Sequence, residues 1–173
     1  MIADSKRRYG KVSMALHWTM AALIGWQLLK FGDYIAKGEH WVSRTFVPWH
    51  ISIGMLLLGL VVLRSLWAAS QRKHRPRQNP ATALLVKTGH ALLYAGMVLL
   101  PVTGALTMVG GGYGLTVFGL ELVGTGDRIG WAAALGSLHA PVSWGFTLLV
   151  AGHIIIALAH HFIRRDDTLR RML

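Results

Sequence analysis

The residues of this chain most able to do chemistry are four histidines in one long apolar run, LHAPVSWGFTLLVAGHIIIALAHHFI: His139, His153, His160 and His161. A histidine within an apolar segment long enough to cross a membrane is costly to bury, so its presence indicates a function. His139 and His153 are 14 residues apart, which on a helix is nearly four whole turns and a rise of about 21 Å. Both imidazoles are therefore expected on one helix face, near opposite sides of the membrane. The spacing predicts two sites at different depths, each of which needs a second ligand from another helix.

The segments that must position these histidines are long and apolar. The chain has 173 residues, of which 53% are hydrophobic and only 14% are charged. Four stretches approach or exceed the ~20 residues that a membrane-spanning helix requires. We therefore predict an all-α membrane protein, a single domain over 1–173 that forms a four-transmembrane-helix bundle, with helices at about 13–31, 47–69, 83–109 and 137–163. Residues 110–135 are expected to form a loop with a short interfacial helix, and the apolar N-terminal stretch is expected to be a retained helix rather than a cleaved signal peptide.

The basic residues indicate how the helices are oriented in the membrane. The formal net charge is +11. Most lysines and arginines lie in the two tails, in and after helix 2, or at the start of helix 3. The four exceptions are Lys30, Lys37, Arg44 and Arg128. Because lysine and arginine accumulate in cytoplasmic loops, both termini and the middle loop are predicted to be cytoplasmic. Since this charge lies beside apolar spans, we ascribe it to membrane topology and expect no nucleic-acid partner.

This topology gives each histidine a depth in the membrane. Helix 1 begins on the cytoplasmic side with His17, whereas helix 2 begins on the outer side with His50. In helix 4, His139 lies near the outer side and His153 lies near the cytoplasmic side. The pairs that can meet in the bundle core are therefore His17 with His153, and His50 with His139.

Two imidazoles at each depth favour a planar iron porphyrin as the cofactor. A zinc site requires four ligands in a tetrahedron, and each level offers two histidines. The absence of cysteine excludes iron–sulfur clusters and the covalent attachment of a c-type haem. We therefore predict two b haems stacked across the membrane, with His17 and His153 binding the inner iron and His50 and His139 binding the outer iron. A six-coordinate iron has no open position, which favours electron transfer over oxygen binding.

Simpler roles compete for any one of these histidines. A single histidine in a helix bundle is more often a hydrogen-bonded polar group or part of a proton path than a haem ligand, but four histidines paired by depth favour ligation. His90 lies on the cytoplasmic side of helix 3, where it can bond a haem propionate or a neighbouring helix, or replace His17 as a ligand. His40 and His74 lie in predicted loops and are expected to be solvated.

A cluster of polar residues is predicted at the cytoplasmic edge, below the inner haem. Its members are His160, His161, Arg64, Arg77 and Lys87. Basic residues at a membrane edge commonly only set the topology. The functional interpretation is a quinone site, since a quinone needs hydrogen bonds to its carbonyls and needs protons when it is reduced, and a histidine can supply both. His90, Arg64 and Lys87 are then candidates to contact a haem propionate or to form the rim of the quinone site.

Several motifs together resemble those of the bacterial cytochrome b561 family. They are HW in helix 1, WHISIGMLLLGLVVLR in helix 2, GHALLYAGMVLLPVTG in helix 3, and LH…GH…LAHHF…D-x-L-x-R-M at the end, so the resemblance extends from Val12 to Met172. It implies a multi-pass protein of the bacterial inner membrane with four helices and two b-type haems. The haem ligands that the resemblance implies are His17, His50, His139 and His153.

Some members of this family look like superoxide oxidases, which take electrons from superoxide at the outer face and reduce ubiquinone near the inner haem. The resemblance implies a quinone pocket with His160 of the terminal A-H-H and with Arg77, where the basic residue of the family can be lysine. Arginine keeps the charge and changes its geometry. Since the charges of the predicted outer loops cancel, a local cluster of Lys37, Arg44 and Arg128 would have to steer superoxide.

We therefore predict a dihaem cytochrome b that carries electrons between the periplasmic face and the quinone pool, as an oxidoreductase coupling superoxide oxidation to ubiquinone reduction. The expected partners are membrane lipid, a quinone and a small redox donor such as superoxide, and a homo-oligomer or a redox partner protein is left open. One alternative is a haem b subunit that relays electrons for a dehydrogenase or another partner. A second is a non-redox membrane protein whose histidines serve proton or metal transport, although the lack of repeats and of acidic residues within the spans counts against a transporter.

Overall fold

Four long helices dominate the computed structural model, which describes residues 1–36, 41–76 and 82–173. Along the chain, the helices are α1 (Lys11–Ala36), α2 (Trp41–Thr45), α3 (His50–Ser70), α4 (Ala83–Gly110), α5 (Gly130–Gly136) and α6 (His139–Phe162), with 3-10 turns at Val47–Trp49 and Arg170–Met172. Helices α1, α3 and α4 and the segment from α5 through α6 are long and apolar enough to cross a membrane. Helix α1 packs against α3, α3 against α4, and α4 against α6. The predicted four-helix membrane architecture is confirmed.

The first connection contains more helix than the sequence indicated. Helix α1 continues to Ala36 rather than ending near Phe31, and α2 lies between the first two predicted membrane helices, where no helix was predicted. A helix readily continues past its apolar stretch, because each added residue forms a further backbone hydrogen bond without a new nucleation cost. Hydrophobicity therefore indicates which part of α1 crosses the membrane rather than where the helix ends.

The connection between α4 and α6 contains a β-hairpin in addition to the expected short helix, which is α5. Strands β1 (Leu115–Val117) and β2 (Leu120–Val123) pair antiparallel. The two turn residues, Phe118 and Gly119, have positive φ angles of 50° and 82°, as a twisted two-residue hairpin turn requires. The backbone N–H of Phe118 donates to Oγ of Ser52 at 2.9 Å. The hairpin is thereby docked on the start of α3, and we call this end of the bundle the hairpin end.

At the opposite end of the bundle, which we call the tail end, the N-terminal tail contacts both the C-terminal tail and the segment after α3. The backbone N–H of Tyr9 donates to the carbonyl of Arg171 at 3.2 Å, and the Trp18 indole donates to the carbonyl of Met172 at 2.8 Å. Asp4 of the N-terminal tail forms an ion pair, at 3.2 Å, with Arg75 of the segment after α3. The two termini and the segment after α3 therefore lie on one side of the membrane. The positive-inside rule predicts that this side is cytoplasmic.

A small apolar core lies inside the bundle. Its buried residues come from all four long helices and are Met20, Ile53, Leu57, Val61, Met97 and Phe146. Phe146 is seven residues from both His139 and His153, so it lies about 10 Å from each of them along the axis of α6. Gly96 of α4 allows the Phe146 ring to approach, because a Cβ at this position would overlap the ring carbons. An apolar layer therefore lies between the two depths at which the histidines were predicted to pair.

Candidate functional site

His50 and His139 lie close together near the hairpin end. Their side chains come from the first residues of α3 and α6, and their ring centroids are 6.1 Å apart. Metal–imidazole bonds are about 2 Å long, so two rings on opposite sides of one metal ion have centroids roughly 6 Å apart. This pair therefore has the separation that two axial ligands of one metal ion need.

A backbone carbonyl of α4 orients the His139 ring. Nδ1 of His139 lies 2.9 Å from the carbonyl oxygen of Leu100, the residue before Pro101, and 3.3 Å from Oγ1 of Thr103. Because a carbonyl only accepts hydrogen bonds, Nδ1 donates and carries the ring proton. Nε2 then keeps the lone pair that can bind a metal. Metal-binding histidines commonly donate their other ring N–H to a backbone carbonyl in this way.

A cavity of about 550 Å³ lies beside this pair. Its lining is mostly apolar and includes both histidines together with Gly54, Gly104 and Lys30. A Cβ at Gly104 would lie 3.1 Å from Cε1 of His139, so this glycine leaves room for the ring. Cavities of this volume accommodate cofactors and other small molecules. The hairpin end thus combines two imidazoles with space for a largely apolar group.

Several glycines of α1 and α6 face open space. A Cβ at Gly25, Gly145 or Gly152 would have no other described atom within 4 Å beyond its own helix backbone and chain neighbours. Small residues in membrane helices often serve close contact between helices, but these three are not placed at such a contact among the described residues. None of the three is among the residues that line the cavity beside His50 and His139.

His17 and His153 form a second pair near the tail end, with ring centroids 6.3 Å apart. This distance also matches two imidazoles that share one metal ion. In the described part of the chain, no group of three or more His, Cys, Asp or Glu side chains is placed to hold a metal ion. A tetrahedral site of the zinc type is therefore not formed by those residues. The structure brings together both of the pairs that depth matching predicted.

Two further side chains flank the inner pair. Nη2 of Arg64 lies 3.1 Å from Nδ1 of His17. The His90 ring lies 5.7 Å from the His153 ring, and Nδ1 of His90 lies 2.7 Å from the carbonyl of Val86, one turn earlier in α4. His90 is exposed, whereas His17 is partly buried. The structure places both histidines beside His153, so the choice between them as its partner stays a prediction.

His160 and the chain after α6 form a polar group at the tail end. Nδ1 of His160 lies 2.5 Å from Oδ2 of Asp166, and Oδ1 of Asp166 accepts the backbone N–H of Thr168 at 2.9 Å. Hydrogen bonds from Thr168 and then from His160 hold the pKa of Asp166 well below its usual range. Of the residues predicted for the rim of this site, Lys87 is exposed on α4, and Arg77 lies outside the described residues.

A second cavity, of about 250 Å³, opens beside this polar group. It is lined by His161, Phe162, Arg165, Asp166 and Arg170. These residues all belong to the end of α6 and the C-terminal tail, whereas Arg64, predicted for the same rim, contacts the inner histidine pair. The rim that the structure describes is therefore built mainly by the C-terminal part of the chain.

Comparisons with known proteins agree with these observations. A sequence profile described as prokaryotic cytochrome b561 matches residues 8–173. The chain is 32% identical over 177 residues to cytochrome b561 homolog 2 from Escherichia coli (strain K12), an alignment that covers 98% of this chain and 93% of that protein. It is 24% identical over 176 residues to probable superoxide oxidase CybB from Yersinia pestis, with 96% of each chain covered. The chain belongs to the prokaryotic cytochrome b561 family.

Membership of the cytochrome b561 family makes this chain a membrane electron-transfer protein and implies haem b as its cofactor. Together with the four candidate spans, it also makes the chain a multi-pass protein of the bacterial inner membrane. The residues present fit the implied cofactor. Both histidine pairs have ring separations that would suit two ligands of one metal ion, and His139 is held in the tautomer that leaves Nε2 for a metal.

In this cytochrome b561 family member, two contacts at the histidine sites were not predicted from the sequence. The bond between His139 and the Leu100 carbonyl joins residues 39 positions apart and has no sequence signal. The contact between His160 and Asp166 joins residues that are close in sequence. It could have been predicted, because an acidic residue follows soon after a histidine in the last turn of a helix. The motif that resembled the family begins at Asp167, but the carboxylate that reaches His160 belongs to the preceding residue.

Proposed function

We propose that this protein oxidises superoxide at the hairpin end and reduces ubiquinone at the tail end. The observation that carries the proposal is the presence of two histidine pairs, one near each end of the bundle, with ring centroids 6.1 and 6.3 Å apart. We assign one haem b to His50 and His139 and a second haem b to His17 and His153. Haem b bound at these residues supplies an iron that accepts and releases one electron at a time.

The residues around the two pairs hold the ligands and keep water from the space between them. The Leu100 carbonyl orients His139. Leu57 and Phe146 are buried in the layer between the two depths, so this layer is apolar. Arg64 contributes a positive charge beside His17, which favours the reduced state of a redox group at the inner pair. The protein would thereby bias electrons toward the tail end.

The proposed reaction balances with superoxide and ubiquinone as the only redox substrates. Two superoxide anions each lose one electron and become dioxygen. One ubiquinone takes up these two electrons together with two protons and becomes ubiquinol. The hairpin end therefore has to attract a small anion, whereas the tail end has to supply protons to a quinone.

Local positive charge supports superoxide as the electron donor. Lys30 lines the cavity beside His50 and His139, where a cation attracts an anion. Arg44 and Arg128, both predicted to steer superoxide, are exposed at the same end, whereas Lys37 lies outside the described residues. The Yersinia pestis protein that is 24% identical to this chain is called a probable superoxide oxidase. We extend that activity to this protein.

For ubiquinone we assign His160 as the hydrogen-bonding and protonating residue, with Arg77 as the second polar residue. His160 lies in the last turn of α6, two turns beyond His153. A quinone beside it would be close to the inner pair and to the water at the tail end. We place the tail end in the cytoplasm on the positive-inside rule, so the protons of ubiquinol would come from the cytoplasm. Lys87 and His90 would form the rim.

A purified system tests the proposed function. Haem-loaded protein is mixed with a short-chain ubiquinone and with superoxide generated by xanthine oxidase, and ubiquinol is followed by its absorbance. We expect ubiquinol formation that exceeds the reaction without protein and that disappears when superoxide dismutase is added. A protein that binds haem but yields no superoxide-dependent ubiquinol would overturn the proposal. Ubiquinol formed only when a dehydrogenase is added would favour the alternative of a relay subunit.

A further inference from the structure

Asp166 contacts the histidine that we assign to ubiquinone. Its Oδ2 lies 2.5 Å from Nδ1 of His160, within hydrogen-bond distance. Its Oδ1 accepts the backbone N–H of Thr168 at 2.9 Å. The His160 and Asp166 side chains are 23% and 40% exposed, so water can reach both. One carboxylate oxygen is therefore held by the C-terminal tail while the other holds the imidazole.

A strained turn brings Asp166 to His160. Arg165 has a φ of 54°, a left-handed conformation that residues with a side chain rarely adopt. The turn is closed by the backbone N–H of Asp166, which donates to the carbonyl of His160 at 3.1 Å. Such a conformation costs free energy and persists where surrounding contacts stabilise it, commonly at functional sites. The turn therefore brings the Asp166 carboxylate within reach of the His160 ring.

We propose that Asp166 is a positioning residue for ubiquinone reduction, which holds the His160 imidazole so that Nε2 delivers protons to the quinone oxygens. This inference rests on the proposed function, in which His160 serves the quinone. An ionised carboxylate only accepts hydrogen bonds, so Nδ1 of His160 keeps its proton and Nε2 is left for the quinone. A carboxylate at Nδ1 also stabilises the imidazolium, as the aspartate of a Ser-His-Asp triad does.

The proton transfers balance with the electrons that the proposed function delivers. In each transfer, the N–H bond at Nε2 of the imidazolium breaks and an O–H bond forms on the quinone. The imidazole is left neutral, and its Nδ1–H still donates a hydrogen bond to Asp166. Water at the tail end then returns a proton to Nε2. Two transfers and two electrons convert ubiquinone into ubiquinol. Asp166 stays ionised, because hydrogen bonds from Thr168 and His160 keep its pKa low.

Matched substitutions of two neighbouring aspartates test this role. Asp166→Asn removes the charge at His160, and Asp167→Asn makes the same change at an exposed residue that pairs with Arg170 at 3.7 Å. Values of kcat and KM for a short-chain ubiquinone are measured on haem-loaded protein. We expect Asp166→Asn to lower kcat roughly tenfold to a hundredfold, with KM changed less than about twofold. Asp166→Glu should restore part of kcat, and Asp167→Asn should match the wild type.

A second readout does not depend on turnover. Nitrogen-15 NMR of histidine-labelled, reduced protein distinguishes the two ring nitrogens of His160, whose signals are identified by their loss in His160→Gln. The structure predicts that Nδ1 is protonated in the wild type. In Asp166→Asn we expect the proton to be shared between both nitrogens, since the amide can donate as well as accept. A tautomer unchanged by this substitution would contradict the positioning role.

The outcomes separate this inference from the proposed function. A wild-type kcat in Asp166→Asn, or an equal loss in Asp167→Asn, would overturn the role of Asp166 alone. If Asp166→Asn loses haem, Thr168→Ala takes its place, since it removes a hydroxyl beside the pair; it should lower kcat, and an unchanged kcat would equally overturn the role. A wild-type protein that binds haem but never reduces ubiquinone would refute the proposed function itself.

Discussion

Nη2 of Arg64 lies 3.1 Å from Nδ1 of His17. A guanidinium has only donors, so Nδ1 accepts this hydrogen bond. An imidazole that binds iron through Nε2 carries its proton on Nδ1 and donates from there. Iron binding through Nε2 of His17 and the hydrogen bond from Arg64 therefore exclude each other. If His17 binds the inner haem as we propose, the guanidinium would leave Nδ1 while its charge stays near the inner pair, where it can pair with a haem propionate.

Replacement of Arg64 is expected to change the redox potential of the inner site. Arg64→Gln removes a positive charge near the inner haem that we propose, and this loss disfavours its reduced state. We expect the midpoint potential of one of the two haems to fall by about 60 mV, which is a tenfold change for a one-electron couple. The measurement is a redox titration followed by visible absorbance. Arg72→Gln, at an exposed position just after α3, is the control, and an equal shift in both variants would contradict a local role.

Removal of either member of a histidine pair should cost one haem. If the proposed assignment holds, His17→Ala and His153→Ala should each lose the inner haem, and His50→Ala and His139→Ala should each lose the outer haem. In each case the remaining histidine would be the one protein ligand left to hold the iron. Haem per chain is measured as the pyridine haemochromogen. His74→Ala, at an exposed position after α3, should keep both haems. Full haem content in all four ligand variants would refute the assignment, and loss of the inner haem in His90→Ala but not in His17→Ala would make His90 the partner of His153.

Lys30 is expected to act on the reaction with superoxide and not on haem binding. Lys30→Gln removes a cation from the lining of the outer cavity, so the rate of haem reduction by superoxide should fall several-fold at low salt. The difference should shrink at high ionic strength, where the charge is screened. Stopped-flow absorbance gives the rate. Lys11→Gln carries the same charge change at an exposed position at the start of α1, at the opposite end of the bundle. An equal loss there would indicate an effect of the net charge instead of a local site.

Asp4 should stabilise the tail end. This carboxylate is buried, and its Oδ1 accepts hydrogen bonds from the backbone N–H of Gly10 at 2.8 Å and from Oγ of Ser13 at 2.6 Å. Asp4→Ala leaves these donors and Arg75 without their acceptor, which costs about 1–3 kcal/mol. The expected result is a lower temperature of thermal unfolding, measured by circular dichroism in detergent. Asp167→Ala, at an exposed carboxylate, should have little effect, and equal stability of both variants would show that the Asp4 contacts contribute nothing.

The features that the sequence predicted well follow from single helices and from the direction of each helix across the membrane, which gave each histidine its depth. The separation of His139 and His153 follows from the rise per residue of α6, and no other part of the chain can change it. The β-hairpin was missed because its turn, Phe118 and Gly119, is not one of the Asn-Gly or Asp-Gly pairs that signal such a turn. The predicted quinone residue Arg77 lies outside the described residues, so its position stays a prediction.

The sequence by itself determined the number of spans, the ends at which the histidines lie and the family to which the chain belongs. These follow from apolar length, helical periodicity and motif order, which are properties of the chain before it packs. Only the tertiary structure decided which group contacts Nδ1 of each histidine. The Leu100 carbonyl lies at His139, the Arg64 guanidinium at His17 and the Asp166 carboxylate at His160. Hydrogen bonds act over about 3 Å, and the packing of helices and the path of a turn set positions on that scale.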